Sequence, residues 1–115
     1  MRFFRATIAV PQILGDAATV ATDAARGNYF RLSTIQNPTI AIPTNPSDCQ
    51  EIMYEITASG AARTPVFATG STGAFEIGGI VTSASVLIGS GKVAYVRAIY
   101  RSGAARWRLL AIDTG

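Results

Sequence analysis

The sequence predicts an all-β fold, a small antiparallel β-sandwich of jelly-roll-like kind. Three observations predict it: apolar and polar residues alternate over short windows, turn residues recur about every eight to twelve positions, and no segment sustains a helical period. At 115 residues the chain suits one hydrophobic core, so the expected organisation is a single domain over residues 1–115. Residues 1–13 form an extended N-terminal strand or arm within it.

That arm alternates from the start. Phe4, Ala6, Ile8 and Val10 share one face and Phe3, Arg5, Thr7 and Ala9 the other, until Pro11 removes a backbone donor. Leu14, Gly15 and Asp16 read as a turn. Residues 17–25 mix Ala, which suits helix, with Thr and Val, which suit strand; strand is preferred.

Residues 27–55 hold three strand-like runs and read as a β-meander. In the first, Phe30 and Leu32 oppose Arg31 and Ser33. The second, residues 38–43, is bounded by prolines at both ends, which implies an edge position. Thr44, Asn45, Pro46, Ser47 and Asp48 then form a turn in which Asn and Asp cap local backbone groups and Pro fixes φ. The third run places Ile52, Tyr54 and Ile56 on a core face, opposite Glu51, Met53, Glu55 and Thr57. Further strands are expected at 64–69, 74–77, 80–88, 92–101 and 106–113, with turns at 59–62, 70–73 and 89–91.

The last hairpin allows a register argument. With residues 102–105 as its loop, Arg101 faces Arg106, Tyr100 faces Trp107, Ala98 faces Leu109 and Val96 faces Ala111. The last three pairs make one apolar face, and a slip of one residue would mix it with arginines. The opposite face then carries Tyr95, Arg97, Ile99, Arg101, Arg106, Arg108, Leu110 and Ile112. Like charges facing each other are unfavourable without nearby carboxylates. Glu51 and Glu55 of the same chain can supply them, and so can an acidic surface on another subunit. The predicted core is Phe30, Leu32, Ile52, Tyr54, Ile56, Val96, Tyr100, Trp107 and Leu109.

Composition narrows function. The chain has one cysteine, Cys49, and no histidine, which excludes an intrachain disulfide, a Cys/His metal site and any His-activated nucleophile. Glu51 and Glu55 lie roughly 13 Å apart along one strand, beyond the ~5–9.5 Å of a glycosidase pair. Gly89-Ser90-Gly91-Lys92 resembles the end of a phosphate loop, but Val86 and Val93 occupy the positions that would need Gly and Ser or Thr. No enzyme and no cofactor is implied. The net charge of +3 is carried by dispersed residues, which argues against a nucleic-acid partner, and no apolar window is long enough for a membrane span. The ten basic residues comprise nine Arg and one Lys; Arg is the cation preferred at partly desolvated protein interfaces. With 49% hydrophobic and 15% charged residues, subunit contacts are expected. The candidate interface residues are Arg2, Phe3, Phe4, Arg5, Tyr95, Arg97, Arg101, Arg106 and Arg108, with Tyr29 a further exposed-aromatic candidate.

The segment GNYFRLSTIQNPTIAIPTNPSDCQEIMYE and the closing SGAARWRLLAI resemble the small β-sandwich domains of tailed bacteriophages, found in head decoration proteins and in tail-fibre or minor tail proteins. The resemblance runs from about residue 27 to the end. Its members usually place Gly after the turn Asp, where this chain has Cys49, so here either the backbone is ordinary or the thiol packs inward. The resemblance implies a virion structural protein, foremost a capsid decoration protein on the outer surface of the major capsid protein shell. It would be made in the host cytoplasm and work as a homo-oligomer, a trimer at local three-fold positions. The alternative is a tail-fibre, tail-tip or minor tail module that recognises a host surface glycan.

Overall fold

The computed structural model describes residues 10–115. Arg2, Phe3, Phe4 and Arg5, with most of the predicted arm, lie outside the described residues. The elements are β1 (Gln12–Ile13), β2 (Thr19–Val20), a 3-10 turn at Ala24–Arg26, β3 (Tyr29–Thr34), β4 (Thr39–Ile40), β5 (Glu51–Ala58), β6 (Val66–Phe67), β7 (Phe75–Glu76), β8 (Val93–Arg101) and β9 (Arg106–Thr114). The fold is all-β. A six-stranded sheet runs in the order β1-β3-β5-β8-β9-β7, and a three-stranded sheet in the order β2-β4-β6.

The first six strands alternate between the two sheets, so the chain winds as a coil. Within the large sheet β1, β3 and β5 are parallel, with Gln12 beside Phe30 and Phe30 beside Tyr54. In the small sheet β2, β4 and β6 are parallel as well. The expected meander and wholly antiparallel arrangement are thereby corrected to a mixed sheet, in which only β5–β8 and β8–β9 are antiparallel. The cause is the run at 39–40: it crosses to the other sheet instead of folding back on β3, and β5 returns in the direction of β3. For the same reason β4 is central in its sheet, not at an edge. Its flanking prolines fall outside the two ladder residues, and the Pro38 carbonyl accepts from Val66 N at 2.9 Å.

Proline also explains why several strands are so short. Pro11, Pro38 and Pro65 immediately precede β1, β4 and β6; lacking an N–H, each ends the ladder on its N-terminal side. The 17–25 segment divides into β2 and the 3-10 turn, where Asp23 accepts from Ala25 N at 3.0 Å as an N-cap does. The apolar run at 80–88 is not a continuous strand. Its backbone makes isolated bridges, Ser85 to Val66 and Ile88 to Arg63.

All nine predicted core residues are inward. Tyr100 is half-buried against the core, and the others are buried. Phe67 of the small sheet meets Tyr54 at 5.4 Å and Phe75 at 4.9 Å between ring centroids, both edge-on, an arrangement aromatic quadrupoles favour. In the last hairpin the register holds from Arg101↔Arg106 through Ala98↔Leu109, then shifts at a bulge. Leu110 is the extra residue. Val96 therefore faces Ile112, not Ala111, which turns Ile112 toward the core and puts Ala111 and Asp113 on the outer face.

The turn at Cys49 also differs from expectation. Cys49 has φ +64 and is exposed, so the backbone is left-handed and the thiol does not pack inward. Two hydrogen bonds hold it there: Cys49 N donates to Tyr100 O at 2.9 Å, and Asp48 accepts from Ser102 N at 2.9 Å.

Candidate functional site

The outer face of the six-stranded sheet gathers most of the charged and aromatic residues singled out above. Period-2 geometry puts it there: the inward positions of β3, β5 and β8 are buried or half-buried and, Thr34 apart, apolar or aromatic, so the alternating outward positions form one surface. Register then aligns rows across the strands. One row contains Ile13, Arg31, Glu55, Tyr95 and Asp113. The next contains Tyr29, Met53, Arg97 and Ala111.

Charge on this face is largely compensated within the chain. Arg31 Nε lies 3.0 Å from Glu55, Arg97 Nε 3.7 Å from Glu51, and Arg108 Nε 3.0 Å from Glu76. Glu51 thus serves the last hairpin as expected. Glu55 instead accepts hydrogen bonds from the Tyr29 hydroxyl and from Arg31. The Tyr29 hydrogen bond, reinforced by Arg31, holds the Glu55 carboxyl below its ordinary range. Glu55 in turn raises Tyr29 and Arg31, in each case chiefly through their shared hydrogen bond.

Arg101 and Arg106 stand apart. They face each other across β8 and β9, and neither makes an ion pair among the described residues. Arg106 Nη1 donates to the Ala105 carbonyl at 2.9 Å, which orients it without neutralising it. The two guanidiniums outnumber the Asp48 carboxylate held on Ser102 N, so the hairpin end of the sheet keeps a net positive charge. A carboxylate-bearing partner would gain most there.

Of the candidate residues, Tyr95, Arg97, Arg101, Arg106 and Arg108 share this one face. Tyr95 is 41% exposed, whereas Tyr29 is half-buried with its hydroxyl engaged by Glu55. Arg2, Phe3, Phe4 and Arg5 lie outside the described residues. Sequence reasoning missed Arg31, Met53 and Glu76 as members. Arg31 and Met53 had a usable signal in their alternation with buried neighbours; Glu76 had none, because β7 pairs in parallel with β9 and contributes only two residues.

Chemically the face is a mixed surface of charged, aromatic and aliphatic side chains. It combines Ile13 with Tyr, Met and Arg, types enriched where proteins meet, and its ion pairs fix side chains that would otherwise lose rotamer freedom on docking. Among the described residues there is no cluster of His, Cys, Asp or Glu able to hold a metal, and no helix is long and apolar enough to cross a membrane. Residues 89–92 form a tight turn, with Lys92 N donating to Gly89 O at 2.9 Å. No protein-family model matches the chain, and neither a curated protein nor a solved structure matches it.

Proposed function

We propose that this chain is a bacteriophage virion structural protein, a decoration protein that binds the outer surface of the major capsid protein shell and stabilises it. It acts as a homotrimer, with its two sheets closing on one core as a small, jelly-roll-like β-sandwich. The observation that carries the proposal is the outer face, where intrachain ion pairs leave Arg101 and Arg106 as an open cationic tip on a nearly Lys-free surface. Such a surface suits docking on an acidic protein patch better than on a polyanion, whose recognition needs a cluster of cations. The backbone at Cys49 adds support. Its φ of +64 is the conformation that the resembling phage domains supply with Gly at this place.

The test is co-sedimentation with empty shells assembled from the major capsid protein of the phage that carries this gene. Wild type should pellet with the shells, and the double variant Arg101→Glu, Arg106→Glu should not. Failure of wild type to bind shells, together with binding to host surface polysaccharide on a glycan array, would replace this proposal with the tail-fibre one.

A further inference from the structure

The six-stranded sheet ends on an edge that is only partly covered. β7 pairs with β9 at Phe75–Trp107 and Glu76–Arg108 alone, so on that side residues 109–114 have no ladder partner among the described residues. Beside them runs a groove between β9 and the loop at 78–85. One part measures about 380 Å³ and is lined by Ile80, Val81, Leu110 and Ile112 together with the polar Thr82, Ser83 and Ser85. A second part of about 290 Å³ continues it past Leu110 toward Arg108. Ile80 projects there 89% exposed. Residues 109–114 contain neither Pro nor Lys, the residues that commonly blunt a free edge. The bulge at Leu110 bends the strand and directs that side chain into the groove.

At the opposite edge of the same sheet lies β1, and residues 1–9 precede it. Their alternation supplies two matched rows. Phe4, Ala6 and Ile8 suit the apolar side formed by Ile80 and Ile112; Phe3, Arg5 and Thr7 suit the outer side beside Ala111 and Asp113. Asp113 is the carboxylate of the outer face that makes no ion pair among the described residues, and residues 1–9 carry Arg2 and Arg5 with no acid.

We propose that residues 1–9 of one copy add as a strand to the free edge of β9 in a second copy, filling this groove. The donor cannot be the chain's own. Laying residues 3–8 along 109–114 leaves Ala9, Val10 and Pro11 to cross from Gln12, four Cα steps that span at most about 14 Å. A strand added beyond β9 lies five strand spacings from β1, about 24 Å even before the path bends around the sheet. Donor and acceptor lie at opposite edges of one sheet, so the contact is head-to-tail and a ring of copies satisfies every edge. This inference rests on the homo-oligomer reading above and names its interface.

Light scattering during size exclusion at tens of micromolar tests it with three proteins: wild type, a deletion of residues 1–9, and Ile80→Lys. Ile80 is exposed, so its change should leave the melting temperature unaltered. Wild type should run at a multiple of 12.1 kDa and each variant at single-chain mass. Mixing the variants should give a 1:1 complex, because the deletion protein keeps a groove and Ile80→Lys keeps a donor. An oligomer of unchanged order in the deletion variant overturns the strand exchange while leaving the homo-oligomer standing. A monomeric wild type overturns both.

Discussion

The hydroxyls of Thr22 and Tyr54 lie 2.7 Å apart in the interior, joining the segment after β2 to the middle of β5. Both residues are buried, so each hydroxyl is the other's means of hydrogen bonding. Burial keeps the Tyr54 phenol protonated, well above its ordinary pKa. Removing one partner strands the other. Tyr54→Phe should therefore cost about 1–3 kcal/mol of unfolding free energy, whereas adding Thr22→Val should recover much of that loss. Urea melts of the two singles and the double would show it, and strict additivity would refute the coupling.

Trp107 is fully buried and stacks obliquely on Tyr100 at 5.1 Å. Trp107→Ala should lose about 3–5 kcal/mol, a large share of the stability of a domain this size. Its indole N–H finds no acceptor among the described residues. Trp107→Phe removes that buried donor and keeps a ring, so it should cost clearly less than Trp107→Ala in the same thermal melts.

These two predictions concern residues whose burial could be seen in the sequence, and the reason marks how far such reading extends. β3, β5, β8 and β9 are long enough for period-2 alternation to declare both faces, and the hairpin register followed from keeping arginine out of an apolar row. The coil was hidden. A two-residue strand has no period, and nothing local tells β4 to cross sheets, because its partners Val20 and Phe67 are remote in sequence. The run at 80–88 misled for the opposite reason: it has strand composition, but its backbone is committed to single bridges. On the outer face Arg97 and Arg101 were legible from alternation. The pairing of Arg31 with Glu55 depended on the parallel β3–β5 register, which the meander reading had excluded.

Ala105 closes the last hairpin at φ +51, a region that costs an L-residue roughly 1–2 kcal/mol. Ala105→Gly should relieve part of that and raise stability by a few tenths to about 1 kcal/mol after the added freedom of the unfolded chain is counted. Cys49→Gly, at φ +64, should act in the same direction. A lowered melting temperature in both would count against the backbone conformations described.

Acid should weaken the fold through Glu55. The Tyr29 hydrogen bond, then Arg31, places its folded-state pKa below the unfolded value. Its contribution is thus fully present above the unfolded pKa and disappears as pH falls through the folded one. Asp48, lowered first by the Ser102 backbone hydrogen bond, has the same sign. Melting temperature should hold near neutrality and decline below about pH 4.5. Tyr29→Phe should flatten that decline; an identical pH profile in the variant would contradict the assignment to Glu55.

The winding of β1 to β6 between two sheets has a consequence for how the molecule comes into being. In the coil, neighbours in space are separated by whole turns of chain: Phe30 pairs with Tyr54, and Ile40 with Phe67. Such contacts form slowly because a long loop must close first. The long antiparallel hairpin of β8 and β9 is the quick, local event, and β5 needs β8 as its far neighbour. On a ribosome this hairpin emerges after β1 to β7. The coil must therefore wait unfolded until the hairpin is made and order itself backward, from β9 toward β1.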